Sequence, residues 1–541
     1  MLPSVTIPRV VCKAVTRIGS QEVCRRTAGC ACYGAVLRES SRLSGDEPGF
    51  TSILPVLATL FVALSTRNVL VGLFSGVLLG AWLVIDAGAL QFLPQTIKTF
   101  IVPEVADSYN ASVLVLLGFI GGFVKLIEWS GGGAAFAGAA TRLVTSRARA
   151  KLGAWFGGIM IFFSDLGTPL IVGPVFQPLT DRLRISRQKL AFILDSTSSP
   201  VAILIPFIGW GVFIMSVIAD AFATNSIEQS EWSAFVEAIP YQLYAWLAIA
   251  MVPALLALNI DYGPMRAAEQ AARHASVNVA AEDDNDDRAR PIIVWLPLVV
   301  LGGTLFATLA ELGFPFEQVA GSDFRAGLSS AYFLAAVTLV VLVLRLRIAR
   351  LTETFQTYIS GMTGMLPIAA TLVLAWGLGS VGEALGTGQY IAAVAGENVT
   401  GWLLPAITFL LAACISFATG SSWGTIVIMM PLAVPAALAT DAAMAVVIGS
   451  ILSGGLFGDH SSPISETTIL SSTGAGTTPL QHFTTQLPYA LTNGAIALAG
   501  FVAAGLLQMA WIAPVLVGLQ FAVLSLIRWR TEVAQSVDIT S

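Results

Sequence analysis

Two short runs combine the residue types that hold hard cations or carry protons. One is Gly458-Asp459-His460-Ser461-Ser462-Pro463, followed closely by Ser465, Glu466 and Thr467. The other is Asp195-Ser196-Thr197-Ser198-Ser199-Pro200. Asp, Ser and Thr supply oxygen ligands, and a helix interrupted at such a run frees backbone carbonyls to join them. Each aspartate follows an apolar run, residues 190–194 in one case and 451–457 in the other. Inside a bilayer an ionised carboxylate costs at least ~2.5–3.5 kcal/mol, so its presence there needs a reason. Desolvation disfavours the charged form of a carboxylate and a bound sodium ion favours it. One site can then hold a proton or a cation but not both, and exposing it to each side in turn gives exchange. His460 could titrate near neutrality and tune Asp459, although a neutral His satisfied by hydrogen bonds serves equally well. Helix ends carry partial charges of either sign, so an anion held against helix N-termini stays in play. A plainer reading leaves Asp165, Asp195, Asp459 and Glu466 in loops that touch water; it suits Asp165 better than Asp195 or Asp459.

These runs need a scaffold that can bury them. The 541 residues are 55% hydrophobic and 11% charged, with a mean hydropathy of +0.79. Soluble domains carry about a quarter charged residues, so this chain lacks the polar surface to face water all round. Apolar runs near bilayer length recur, among them residues 69–85, 112–124, 295–309 and 331–344. Their charge-free character predicts helices rather than a β-barrel. The net charge of −5 says less than its distribution.

Basic loops carry Arg142, Arg147, Arg149 and Lys151, then Arg182, Arg184, Arg187 and Lys189, with further basic residues at 266–290 and 345–350. Acidic or neutral loops alternate with them, and basic loops mark the inner side. Residues 152–180 have basic loops at both ends and a helix-breaking Phe163-Ser164-Asp165-Leu166-Gly167-Thr168-Pro169 in the middle. That pattern predicts a re-entrant hairpin whose tip lines a cavity within the protein. Its tip offers Asp165 and Thr168 as ligands.

The halves share this order. Glu128-Trp129-Ser130-Gly131 answers Glu383-Ala384-Leu385-Gly386, and Gly167-Thr168 with Pro174 answers Gly424-Thr425 with Pro431. Asp195 with Ser198-Ser199-Pro200 answers Asp459 with Ser461-Ser462-Pro463, all at offsets of about 260 residues. Counting crossings puts the second hairpin, 402–437, on the outer side, with Thr419, Ser421 and Ser422 at its tip. The expected fold is therefore an all-α polytopic membrane protein with two inverted repeats, re-entrant helical hairpins and broken transmembrane helices. Its first half spans 49–258 with hairpin 152–180 and broken helix 188–218. A charged linker, expected to be solvated, covers 259–291. The second half spans 292–528 with hairpin 402–437 and broken helix 441–472, and 529–541 is a tail. Lys125 and Glu128 read first as a snorkelling pair; the matching Glu383 keeps a gating role alive.

Residues 1–48 carry six basic residues up to Arg38 against Glu22 alone, as in an organellar transit peptide or a disordered tail. Cys12, Cys24, Cys30 and Cys32 fall there and Cys414 in an apolar run, without zinc-site spacing or a disulfide framework. The acidic run 282–287 lacks the glycine and closing glutamate of an EF-hand loop. Asn110-Ala111-Ser112 and Asn398-Val399-Thr400 are glycosylation sequons on loops expected outside. The membrane, plasma or organellar inner, stays undecided, and a further crossing around residues 92–102 would change where the N-terminus lies.

Gly458-Asp459-His460-Ser461-Ser462-Pro463-Ile464-Ser465-Glu466-Thr467-Thr468 resembles the NhaC family of sodium/proton antiporters, where Gly-Asp-His-x-Ser-Pro-Ile-Ser-Asp-Thr-Thr recurs. Residues 195–200 and Gly420-Ser421-Ser422-Trp423-Gly424-Thr425 are also similar to it, and the likeness covers residues 52–523. Glu466 departs from the family aspartate by one methylene. The resemblance implies the two-repeat, two-hairpin architecture of the ion transporter superfamily. It implies a secondary transporter exchanging sodium for protons by alternating access, with sodium held in the Asp195/Asp459 region. Relatives that exchange organic acids or carry amino acids keep a second expectation: sodium- or proton-coupled movement of a small organic anion or amino acid. That would call for a membrane-embedded cation, of which Lys125 is the best candidate. An intramembrane enzyme is remote, since adjacent Asp459, His460 and Ser461 cannot form a relay by spacing alone. A channel is disfavoured because the polar runs interrupt helices instead of forming a ring. No cofactor is expected beyond the transported sodium and protons. The expected partners are the bilayer, a small cation and, as an option, a second copy in a homodimer, but not nucleic acid.

Overall fold

The computed structural model describes residues 49–131, 146–165, 167–274, 290–313 and 321–540. The leader, its four cysteines, Arg142 and the acidic run 282–287 lie outside these residues. All regular structure among the described residues is helical. Among the described residues seven helices are long and apolar enough to cross a membrane, or up to nine if two bent pairs each count as one span. A spanning chain must satisfy its backbone internally, which is why charge-free runs become helices here. Apolar side chains such as Trp295, Val299, Phe306, Phe333, Val337 and Val341 face outward, as a lipid-facing surface requires.

The helices that carry the polar runs are short. Leu404–Thr419 has 16 residues and Met444–His460 has 17. At 1.5 Å per residue each reaches only about 25 Å, less than the ~30 Å hydrocarbon core. They must therefore end within the protein. Hairpin 1 consists of Arg147–Met160 and Gly167–Arg182, and hairpin 2 of Leu404–Thr419 and Ser422–Ala439. Broken helix 1 runs as Arg187–Thr197, Ser199–Ala202 and Gly209–Thr224. Broken helix 2 runs as Met444–His460 and Glu466–Ala475.

The repeat is visible in detail. Ser108–Trp129 and Leu366–Leu385 precede the two hairpins, and each is followed by a left-handed glycine, Gly131 and Gly386. The second hairpin arms carry prolines at matching places, Pro174 and Pro178 in one, Pro431 and Pro435 in the other. Hairpin 2 packs along Met444–His460, the first half of its own broken helix. Hairpin 1 packs on Arg187–Thr197 and also on Glu466–Ala475, so the two halves interlock around the breaks.

Two expectations change. The linker was read as solvated throughout, yet Gly263–His274 is an amphipathic helix that buries Met265 and Glu269. Asn110 sits in the first turn of Ser108–Trp129, buried, and donates to the Glu104 carbonyl and carboxylate at 3.1 and 3.3 Å. A buried helical amide is a poor glycosylation acceptor; Asn398 is exposed at a helix end. Residues 92–102 lie within Ala89–Ala106, which is bent by 117° from Val69–Val84.

Candidate functional site

Each break has a local cause. Pro200 and Pro463 lack the N–H that would bond the carbonyl four residues earlier, of Ser196 and Asp459 respectively. Ser198 leaves the helical region at φ −87°, ψ −98°. In broken helix 2 the Ser461 hydroxyl donates back to the Phe457 carbonyl at 2.6 Å, and Ser465 caps the new helix by accepting from Thr468 N–H at 3.4 Å. The tip of hairpin 2 closes on this break: the Ser462 hydroxyl donates to the Phe417 carbonyl at 2.8 Å. Gly420, at φ +68°, makes the turn there; a Cβ would lie 2.8 Å from the Ile464 carbonyl oxygen.

Asp459 is 3% exposed. Its Oδ1 accepts from the Ser465 hydroxyl and its Oδ2 from the Thr467 hydroxyl, both at 2.8 Å, and those hydroxyls are 3.0 Å apart. Asp195 is fully buried. Its Oδ2 accepts from Gln486 Nε2 at 2.5 Å and its Oδ1 from the Ser471 hydroxyl at 3.3 Å. His482 Nε2 lies 3.8 Å from Asp195 Oδ2 and 2.9 Å from Gln486 Oε1. The same Gln486 amide donates to the His460 carbonyl at 3.0 Å. One side chain thus ties Asp195 to the residue beside Asp459, and each aspartate lies within electrostatic reach of the other.

The remaining candidates divide. The Thr197 and Ser198 hydroxyls donate to the carbonyls of Ile193 and Asp195 at 2.8 and 3.0 Å, and Ser196 is buried beside them. Thr168 donates to the carbonyls of Ile161 and Ser164, and Thr419 to that of Ile415. The Ser422 hydroxyl donates to the Gly455 carbonyl at 3.3 Å. His460 Nδ1 is 3.4 Å from the Tyr244 hydroxyl. His460 Nε2, Ser199 Oγ and Thr468 Oγ1 are buried with no hydrogen-bond partner among the described residues. Such atoms are costly unless a ligand or water meets them.

Both hairpin tips meet at one cavity of about 220 Å³. Hairpin 1 contributes Ser164 and Asp165, hairpin 2 Ser421 and Trp423, and broken helix 2 contributes Glu466. Trp210 Nε1 donates to Asp165 Oδ2 at 2.7 Å, and the Trp210 and Phe213 rings each lie 4.4 Å from that of Trp423. Among the described residues the lining contains two carboxylates and neither Lys nor Arg. Lys125 is half exposed and pairs with Glu128 at 3.6 Å. Glu128 in turn accepts from the Ser164 hydroxyl at the tip of hairpin 1, at 3.1 Å, whereas its counterpart Glu383 is exposed.

Sequence reasoning passed over His482, Gln486, Ser471 and Tyr244. A signal for the first two was present: in Pro479–Leu507, His482, Gln486, Tyr489 and Asn493 recur at i, i+4, i+7 and i+11 and are buried. That spacing marks one polar face on an apolar span.

The Na+/H+ antiporter family model matches residues 201–506. A Haemophilus influenzae protein described as uncharacterized is 31% identical over 476 residues, covering 84% of this chain and 90% of that one. A second protein of that organism, described as an uncharacterized Na(+)/H(+) antiporter, is 32% identical over 96 residues, 18% of this chain and 20% of its own. Among solved structures, the Alcanivorax borkumensis YdaH transporter matches with a TM-score of 0.55 at 16% identity, over 84% of this chain and 98% of that one. Neisseria gonorrhoeae MtrF, described with a class of antimetabolite efflux pumps, matches with a TM-score of 0.52 at 15% identity, over 83% and 94%. At such identities the structural likeness speaks to fold. With more than half of its length matched, this multi-pass membrane transporter belongs to the Na+/H+ antiporter family.

Proposed function

We propose that the chain exchanges sodium for protons by alternating access, with Asp459 as the carboxylate at which the two cations compete. The observation that carries this is the company Asp459 keeps. Among the described residues only hydroxyls bond its carboxylate, those of Ser465 and Thr467. A hydroxyl can donate to a carboxylate, accept from a protonated acid, or turn a lone pair to a cation. The cluster therefore serves a proton or a sodium ion without rebuilding. Asp195 differs, since the Gln486 NH2 and the Ser471 hydroxyl reach it from the other half of the chain and tie it in place. Glu466, next to Ser465 and Thr467, joins Asp165 in a cavity whose described lining holds carboxylates and no Lys or Arg, which suits a positively charged substrate over an organic anion.

Proteoliposomes test this. An imposed sodium gradient should move protons with no organic solute present, and Asp459→Asn should abolish the movement. Proton flux that ignores sodium, or flux that requires an added dicarboxylate or amino acid, would falsify the proposal.

A further inference from the structure

Three of the basic stretches, at 147–151, 182–189 and 266–290, contribute to one cleft of about 710 Å³ that shares no lining residue with the hairpin cavity. Six cations line it: Arg147 and Lys151 from hairpin 1, Lys189 from broken helix 1, Arg266 and Arg273 from the linker helix, and Arg528 from Ile512–Thr540. Among the described residues two carboxylates face them, Asp261 and Glu269.

Both carboxylates are already engaged. Glu269 accepts from Arg147 and Lys151 at 2.9 Å on one oxygen, and from the Ser186 N–H and hydroxyl at 2.7 and 2.9 Å on the other. Asp261 accepts from Lys189 at 2.7 Å and from the Tyr489 hydroxyl at 2.8 Å. Lys189 is 1% exposed, so the cleft is built on a buried cation rather than on a solvated fringe. Arg266 and Arg273 have no ion pair among the described residues, yet both border the same concavity. Like charges gathered around a hollow repel each other unless an anion fills it.

The cleft also sits at a telling depth. Leu255 and Leu256 form an apolar wall, and Trp529, beside Arg528, is exposed, an arrangement typical of the membrane–water interface. Four guanidinium groups offer planar forks that match the oxygens of a phosphate. Basic pockets between helices on the inner side are suited to phosphate headgroups.

We propose that this cleft binds a phosphate-bearing anion, either the headgroup of an acidic lipid or free phosphate. The ligand bridges hairpin 1, broken helix 1, the linker helix and the last helix. Lys189 and Asp195 share Arg187–Thr197, six residues apart, so occupancy bears on the helix that carries Asp195 at about 9 Å from it along the axis.

The test uses the purified full chain and the double variant Arg266→Gln/Arg273→Gln, which breaks none of the ion pairs described above. Melting temperature is measured in phosphatidylcholine nanodiscs, with titrated inorganic phosphate, with phosphatidylglycerol added to the disc, and with chloride at matched ionic strength. The wild type should be stabilised by phosphate or by phosphatidylglycerol, and not by chloride. The double variant should melt with the wild type in plain phosphatidylcholine and need roughly 10- to 30-fold more ligand for the same shift. A response to inorganic phosphate assigns the soluble source; a response to phosphatidylglycerol alone assigns the headgroup. Stabilisation by neither, equal stabilisation by chloride, or a double variant that responds like the wild type overturns the proposal.

Discussion

Asp195 and Asp459 hold equivalent places in the two repeats, each beside a helix break ahead of a Ser-Ser-Pro, yet they are held by different chemistry. Asp459 is caged by hydroxyls from its own break, six and eight residues along the chain. Asp195 is caged by groups from the other half, Gln486 and Ser471, with His482 close by. A local cage can change its proton or cation while the rest of the molecule stands still. A cage assembled across the two halves fixes one half against the other. The difference supports a division of labour, with Asp459 as the proposed exchanging group and Asp195 as a link between the repeats.

The largest contrast should come from the two neutral substitutions. Asp459→Asn should cut sodium-driven proton flux at least about a hundredfold while leaving the melting temperature close to that of the wild type. Asp195→Asn should lower the melting temperature more than Asp459→Asn does, because it weakens bonds between the halves. Equal losses of flux and of stability in both would erase the division.

Gln486→Leu comes next. It leaves Asp195 Oδ2 and the His460 carbonyl without their shared donor. A buried group stripped of its partner costs about 1–3 kcal/mol, which thermal unfolding would register. An unchanged melting point would mean that Gln486 does not join the halves.

Smaller effects belong to the hydroxyl cage. Ser465→Ala and Thr467→Val each remove one oxygen from Asp459, and each should raise the half-saturating sodium concentration by about 2- to 10-fold. The corresponding change at Ser471, beside Asp195, should leave sodium affinity alone. If Ser471→Ala shifts it as much, both aspartates hold the cation.

The smallest effect lies in the linker helix, which is not among the candidate membrane spans, and serves as a control. Burial alone would raise the Glu269 carboxyl, but the Lys151 charge and the Ser186 N–H outweigh it and hold the group below the usual carboxylate range. A depressed carboxylate stabilises the fold fully above its unfolded pKa and loses that contribution as pH falls through its folded value. The linker helix should therefore stay docked from neutral pH down to the ordinary carboxylate range and loosen below it, as proteolysis after the helix would report. Glu269→Gln should be weaker at neutral pH and indifferent to acid. A wild type that loosens near neutrality would point to a different group.

Several features were legible without coordinates of any kind. Charge-free runs imply helices, since a backbone in lipid must satisfy itself. Pro174 and Pro431 at matching places, with Gly131 and Gly386 ending matching helices, record the repeat in residue types alone. Basic loops at both ends of residues 152–180 imply a segment that returns to its own side, and Arg147–Met160 and Gly167–Arg182 are the two arms of that hairpin. The linker helix was harder to see. Its Met265 and Glu269 share a face, but a glutamate reads as solvated until Arg147, Lys151 and Ser186 are found around it.

By itself the sequence determined where helices break, because proline, glycine and serine act on the backbone within a turn of where they stand. It also determined that two aspartates occupy those breaks. Only the tertiary structure decided what each aspartate touches. Ser465 and Thr467 reach Asp459 through the local turn, so spacing anticipates them. Gln486 and Ser471 reach Asp195 from 291 and 276 residues away, a meeting set by how the repeats interlock, and no local rule of propensity or spacing carries that information.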